Sequence, residues 1–355
     1  MDKDREINMK RTPQDPPRVV TFGEILLRLS APGYERLLQS PRLEATFGGG
    51  EANVAVSLAN FGLQSAFITK LPHNALGQAA VNSLRALGVE TGGIVRGGAR
   101  MGLYFLEKGA SQRASVCLYD RAGSAMSQAQ PEEFDWPRLL QGASWFHFTG
   151  ITPALGAPVA EACRAACQAA KAQGVRVSCD LNYREKLWSR AQANRVLGEL
   201  CQLADVCICN EADARDVFGI AAPGSDLTRG ELDPRQYTAV ARELTDCFGF
   251  SQVAITLRRS RSASENDWGG LLYAGGQSHF SRTYHLQLVD RVGGGDSFAA
   301  GLIYALLRGD DAPAAIEFAA AASALKQSIP GDLNRVSVPE VERLSQGDTS
   351  GRIQR

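Results

Sequence analysis

Short runs of β-branched and apolar residues alternate with longer amphipathic stretches along almost the whole chain, and few folds accept that pattern. Val19 to Phe22, Ala66 to Thr69, Ser144 to Phe148, Val175 to Cys179, Asp205 to Cys209 and Val253 to Leu257 read as strands. Glu51 to Asn60, Gly77 to Leu87, Pro158 to Ala172, Gln192 to Leu203, Gln236 to Phe248, Ser297 to Leu307 and Ala312 to Gln327 read as helices. Strand and helix in alternation predict an α/β fold whose mostly parallel sheet is covered on both faces. Pro32 to Phe47 and Met101 to Tyr119 break the alternation. The second reads as a hairpin around Gly109-Ala110-Ser111, so a small antiparallel flap is expected over a cleft.

Composition narrows the class. Lys plus Arg and Asp plus Glu both number 38, so no net field draws the chain to nucleic acid or an anionic membrane. The partner expected is a small molecule. The first eighteen residues alternate charge with proline and read as a loose tail, and no stretch approaches the roughly 18 uninterrupted apolar residues of a spanning helix. The cytoplasm is the expected location. The eight cysteines fall mostly inside apolar periodic segments, and no CxxC pair with a nearby His completes a zinc set. The four histidines have no metal-like spacing and read as structural or surface residues.

The segment most informative about chemistry is Gly293-Gly294-Gly295-Asp296, placed between a strand carrying Leu286, Leu288 and Val289 and a helix whose Phe298, Leu302, Ala305 and Leu306 recur at helical spacing. Glycines at a helix start leave N–H groups unobstructed where the helix also offers unpaired donors and positive potential, which makes an anion site. A carboxylate beside bound phosphate is repulsive unless its charge is used, and a general base uses it. The plainer reading is that Asp296 caps the helix and the glycines only turn the chain. Gly48-Gly49-Gly50-Glu51-Ala52-Asn53 is a second glycine run opening a helix. It serves either as loop-to-helix punctuation or as an approach for a polyhydroxylated ligand, with Asn53 offering a donor and an acceptor.

Taken together these segments resemble the two signatures of the ribokinase-like (PfkB) carbohydrate kinases. The resemblance runs from Gly23-Glu24 through the Gly-Gly-x-x-x-Asn segment and the hairpin to Asp290-x-x-Gly293-x-Gly295-Asp296. It implies a three-layer α/β/α core in one kinase domain over 19–345, with lid segments at about 32–48 and 98–121 and tails at 1–18 and 346–355. Gly102-Leu103-Tyr104, the Tyr119 to Ala125 segment and Asp180-Leu181-Asn182-Tyr183-Arg184 narrow it to kinases of the sugar acid 2-keto-3-deoxygluconate. By that resemblance Asp296 is the base, and the N–H groups of Gly293, Gly294, Gly295 and Asp296 receive the γ-phosphate of ATP. Gly49, Tyr104, Tyr119, Arg121 and Arg184 then surround the sugar, with Asn53 close by and Asp332 reaching in from near the C-terminus. A guanidinium can grip a carboxylate with two parallel charge-assisted bonds, so the arginines suit an acid.

Further implied roles are a nucleotide edge at Asn210 and Thr256, and magnesium served through water by Asp213, which replaces the family's Glu, or by Glu211. A monovalent cation beside the anion hole and a homodimer paired through the lid are implied as well. The glycine that often follows the nucleotide-edge strand is missing, and Arg258, Arg259 and Arg261 follow Thr256-Leu257 instead. They can contact phosphates or stay solvated. Kinases of neutral sugars such as fructose or ribose would use the same base. A non-catalytic sugar-binding regulator would not need Asp296. A dinucleotide-binding oxidoreductase lacks room, since too little chain follows the glycines for a cofactor half-domain.

Overall fold

The computed structural model describes residues 16–221, 234–348 and 351. Its first half comprises β1 (Arg18–Phe22), β2 (Leu26–Ser30), β3 (Glu44–Gly48), α1 (Gly50–Asn60), β4 (Gln64–Ile68), β5 (Lys70–Leu71), α2 (Ala75–Ala86), β6 (Val95–Arg96), β7 (Leu103–Glu107), β8 (Val116–Asp120) and α3 (Trp136–Leu139). Then follow β9 (Ala143–Thr149), α4 (Ala157–Ala172), β10 (Arg176–Asp180), α5 (Arg190–Cys201), β11 (Val206–Cys209), α6 (Glu211–Phe218) and α7 (Pro234–Phe248). The last part holds β12 (Gln252–Ser260), β13 (Glu265–Ala274), β14 (Gln277–Phe280), β15 (Tyr284–Gln287), α8 (Gly294–Arg308), α9 (Ala312–Lys326) and α10 (Val338–Ser345).

The large sheet has the order β14-β13-β12-β11-β10-β9-β1-β4, with β15 also pairing β13. From β4 to β12 every pairing is parallel. Parallel strands need crossover helices, and those helices bury both faces, so the strands are apolar without alternation. In β1 the neighbours Val19 and Val20 are both fully buried but join different cores. Val20 packs with Phe146, Val159, Leu197 and Leu244, against α4, α5 and α7. Val19 packs with Trp145, Val54, Phe298 and Ala319, against α1, α8 and α9. The result is the expected α/β/α sandwich.

Some polar groups inside the sheet are satisfied by one another, while His147 Nε2 and Trp268 Nε1 are left without a partner among the described residues. Trp145 Nε1 donates to Ser178 Oγ at 2.8 Å, and His147 Nδ1 lies 2.8 Å from the same oxygen. Burial pushes the His147 pKa down to about 3, so the ring stays neutral and structural. Six of the eight cysteines are buried, while Cys117 is half-buried and Cys247 exposed.

Two departures from the sequence reading bear on the cleft. β12 does not stop at Leu257 but continues to Ser260, because its ladder with antiparallel β13 gives the arginine-bearing residues a partner at every step. The strand before the glycine run is Tyr284–Gln287, so Leu288 and Val289 lie beyond it. Their N–H groups donate instead to Ser264 O and Gln327 O.

The smaller sheet has the order β3-β2-β7-β8, antiparallel at its outer pairs and parallel between β2 and β7. Its β2 has no counterpart in the sequence reading. β8 is an edge strand on which Cys117 and Tyr119 line the cleft, while Val116 and Leu118 on the alternate positions are exposed. Among the described residues, no helix is long and apolar enough to cross a membrane.

Candidate active site

A cleft of about 490 Å³ lies between the small sheet and the carboxyl ends of the parallel strands, the place where open α/β sheets bind ligands. Tyr104, Cys117 and Tyr119 line it from the small sheet, and Asp180, Cys209 and Thr256 from β10, β11 and β12. The N-termini of α1 and α8 open onto it through Gly49 and Gly293 to Asp296. One cavity therefore gathers both glycine segments.

Gly293 turns the chain into α8 in the left-handed region, at φ 81°, and a Cβ there would lie 2.0 Å from the Asp332 carbonyl oxygen. Only glycine meets both demands. Gly294 N–H donates to Arg291 O at 3.2 Å, so it is not offered to a ligand as expected. The N–H groups of Gly293, Gly295 and Asp296 have no acceptor among the described residues.

Asp296 does not cap the helix. The N-cap is Gly293, without a side-chain cap bond, and the half-buried Asp296 carboxylate accepts from Asn53 Nδ2 at 2.7 Å. Burial pushes its pKa up to about 6; the Asn53 bond pulls down, and the charges of Asp332 and Glu51 push up. Such a carboxylate is ionised at neutral pH yet far more basic than an ordinary aspartate. Beside vacant N–H donors it can take a proton from a hydroxyl while the donors receive an anion.

Asn53 differs from its expectation as a ligand contact. It is buried, its Oδ1 accepts from Gly49 N–H at 3.2 Å, and its amide donates to Asp296, so both ends of the amide are engaged within the protein. Gly49 is required by close approach, since a Cβ would stand 2.1 Å from Glu24 O. Glu51, buried beneath this turn, accepts from Thr149 N–H at 2.9 Å, Thr149 Oγ1 at 2.8 Å and Thr152 Oγ1 at 2.5 Å. Burial raises its pKa while those bonds oppose the rise, and the contacts fasten α1 to the end of β9.

A second network joins the small sheet to the loop before α8. Arg28 of β2, fully buried, donates Nη2 to Asp290 Oδ2 at 2.5 Å and Nη1 to Asp332 Oδ1. Tyr104 Oη donates to the Asp332 carboxylate, 2.6 and 2.7 Å from its two oxygens. Asp290 also accepts from Val292 N–H and Gly331 N–H, each at 3.1 Å. Burial works against the Arg28 charge, but Asp332 and its neighbours outweigh it and hold the pKa above its ordinary value. Asp332 lines the cleft, yet its oxygens face Arg28 and Tyr104.

Arg121 also departs from expectation. Its Nε donates to Glu24 Oε2 at 2.8 Å and its Nη2 bonds the same oxygen, so an internal carboxylate already holds its fork. Ser124 Oγ bonds Glu24 as well. Arg184 lines the cleft too, is exposed, and donates only Nη1, to Tyr183 O at 2.9 Å. The Tyr119 ring stacks on Tyr104 at 5.6 Å, with Arg121 above it.

At the far end Asn210 caps α6, accepting from Asp213 N–H at 2.9 Å. The Asp213 carboxylate accepts in turn from Tyr183 N–H at 3.2 Å and Asn210 N–H at 3.4 Å. Asp180 is pushed up by burial and by the charges of Asp213 and Asp296. These carboxylates suit a hard cation held through water. Among the described residues, no group of three or more His, Cys, Asp or Glu is arranged to ligate one. The Glu211 side chain lies outside the described residues. Thr256 and Arg258 share a face of β12 and line the cleft, whereas Arg261 pairs with Asp267 at 2.8 Å. Arg291, unnoticed in the sequence, stands near enough to Arg258 to have its pKa lowered by burial and by that charge. Both line the cleft, and neither has a carboxylate partner among the described residues.

The profile of pfkB family carbohydrate kinases matches residues 16–336. The chain belongs to the pfkB family of carbohydrate kinases. This kinase is 50% identical to the crystal structure of 2-dehydro-3-deoxygluconokinase from Thermotoga maritima, with a TM-score of 0.90 over 93% of this chain and all of that one. A pfkB family carbohydrate kinase from Listeria grayi is 33% identical, with a TM-score of 0.86 over 93% of this chain and 99% of that one. The 2-dehydro-3-deoxygalactonokinase of Haloferax volcanii is 34% identical over 94% of this chain and 98% of its own length.

Removing the guanidinium between Asp290 and Asp332 leaves two buried carboxylates uncompensated. Arg28→Met is expected to lower unfolding stability by about 3–5 kcal/mol in urea titration; a loss below about 1 kcal/mol would contradict the arrangement.

Proposed function

We propose that this kinase transfers the γ-phosphoryl group of ATP to the terminal hydroxyl of 2-keto-3-deoxygluconate, giving the 6-phospho product. The observation that carries the reading is Asp296: a carboxylate with its pKa raised to about 6, beside three N–H groups without acceptors among the described residues, in the cleft that Arg184 also lines. The 50% identical kinase from Thermotoga maritima supports the choice of acid. The Haloferax volcanii relative, named for the galacto isomer, favours a second acceptor of the same class.

In this reading Asp296 removes the proton of the acceptor hydroxyl as its oxygen attacks the γ-phosphorus, ADP leaves, and the N–H groups of Gly293, Gly295 and Asp296 hold the charge on the phosphoryl oxygens. Asn53 aims the carboxylate. Arg258 and Arg291 meet the nucleotide phosphates with Asn210 and Thr256 at the same edge, and Asp213 with Asp180 holds the water shell of magnesium. The metal, when bound, offsets the charge of the nucleotide. Arg184 pairs with the sugar carboxylate, while Arg121, fixed by Glu24, shapes the wall with Tyr104, Tyr119 and Gly49. Movement of the small sheet over the sugar would exclude water and so limit ATP hydrolysis. Pairing of two copies through the exposed outer face of β8 belongs to the same reading.

Asp296→Asn should lower kcat about 10³-fold with sugar affinity changed less than about threefold; turnover within tenfold of the unaltered enzyme refutes the base. Because the ionised form is the active one, kcat/KM should fall as pH drops through about 6; an acid limb near the ordinary aspartate value of about 4 would count against it. In a coupled ADP-release assay, both sugar acids should outrank fructose and ribose. Arg184→Ala should reduce kcat/KM for the acids about 100-fold and spare any neutral sugar; faster turnover of neutral sugars by the unaltered enzyme sinks the assignment. Sedimentation at twice the chain mass is expected, and a single-chain mass excludes the paired lid.

A further inference from the structure

The buried positive charge behind the glycine turn is used by nothing described so far. Lys326, the last residue of α9, is fully buried, and its Nζ donates to two main-chain oxygens, Asp290 O at 3.1 Å and Val292 O. It forms no salt bridge among the described residues, since the carboxylates of Asp290 and Asp332 pair with Arg28. A buried ammonium is costly unless it is well solvated by the protein, and here carbonyl dipoles supply that solvation. The next residue continues the clamp: Gln327 O accepts from Val289 N–H at 3.0 Å and Asp290 N–H at 3.2 Å. Burial lowers the Lys326 pKa to about 8 while Asp290 and Asp332 act the other way, so the group is charged at neutral pH.

We infer that the Lys326 ammonium is a tethered cation that positions the anion-hole turn of this kinase, standing where a dissolved monovalent ion would otherwise be held. Val292 C=O and Gly293 N–H belong to one trans peptide unit and point in opposite directions. Pinning that oxygen to Lys326 therefore aims the Gly293 N–H, one of the three donors without an acceptor, away from the lysine. The charge also polarises the peptide, which strengthens the donor. Convergent main-chain carbonyls can hold a potassium ion; here two of them, Asp290 O and Val292 O, hold the Lys326 ammonium instead. Lys326 is thus a positioning residue, and the inference rests on the phosphate-binding reading of Gly293 to Asp296.

The test is cation dependence. In tetramethylammonium buffer, adding about 100 mM potassium should change the turnover of the unaltered enzyme less than about twofold; activation above about tenfold overturns the inference without any variant. Lys326→Ala should lose about 100-fold in kcat with sugar KM nearly unchanged, and potassium or ammonium should restore at least about tenfold. Lys326→Met, whose side chain fills the space, should lose as much and not recover. Potassium should also raise the thermal midpoint of Lys326→Ala by about 3 °C and leave the unaltered enzyme unmoved. That last readout needs no turnover, so it separates failure of the tethered cation from failure of the sugar assignment. Full kcat in Lys326→Met, or a Lys326→Ala enzyme whose rate and midpoint both ignore the added cations, overturns the inference.

Discussion

One buried guanidinium ties the cleft face of the small sheet to the turn that opens α8, while the opposite face of that sheet packs through Leu27, Leu29 and Phe47 on α1 and α2. Arg28 sits on β2 of the small sheet, and its two carboxylate partners belong to the segments on either side of the α8–α9 pair, Asp290 before α8 and Asp332 after α9. Apolar packing of Leu27, Leu29 and Phe47 on α1 and α2 seats the sheet, but it is non-directional and does not fix the cleft face to the loops around α8. Arg28 supplies that fixed connection from β2, and Tyr104, through Asp332, supplies it from β7. Buried ion pairs add little net stability relative to apolar packing, but they are specific about geometry. Here the geometry is the distance between the cleft face of the small sheet and the turn at Gly293.

The cleft is a study in charges that are matched and charges that are left over. Glu24 is matched by Arg121, the Arg28 pair by Asp290 and Asp332, and Lys326 by carbonyl oxygens. Asp296 is matched only by the Asn53 amide, and Arg184, Arg258 and Arg291 by no carboxylate among the described residues. In the proposed reaction the unmatched groups are the ones the ligands complete: a hydroxyl proton for the carboxylate, a sugar acid for one guanidinium and phosphates for the other two. The burial that raises the Asp296 pKa follows from the same packing that fixes its partners.

Local signals carry far in this sequence because most of the sheet is parallel. Each of these strands is a short apolar run and each long crossover an amphipathic helix, so β1, β4, β9, β10 and β11 and the helices α1, α2, α4 and α5 can be read from periodicity alone, whereas the four-residue α3 is too short to show a period. The glycine runs are legible for the same reason, since their function is main-chain geometry. What is not legible depends on long-range pairing. Arg28 is one charged residue inside an otherwise apolar strand, Lys326 ends a helix of alanines, and Arg121 looks like a ligand contact until Glu24 is found across the cleft. β12 outruns its apolar run because β13 supplies a ladder that no local pattern announces. By type Asn53 reads as a ligand contact, whereas its bond to the Asp296 carboxylate makes it that residue's partner.

The claim on which the account turns is that Asp296 faces the reacting hydroxyl while the main-chain donors beside it face the γ-phosphate. A crystal structure of the enzyme with 2-keto-3-deoxygluconate and a non-hydrolysable ATP analogue tests it most directly. The account predicts the terminal hydroxyl oxygen within about 3 Å of an Asp296 carboxylate oxygen, and γ-phosphate oxygens on the N–H groups of Gly293, Gly295 and Asp296. A terminal hydroxyl directed to another carboxylate, or a γ-phosphate seated away from that turn, would contradict it.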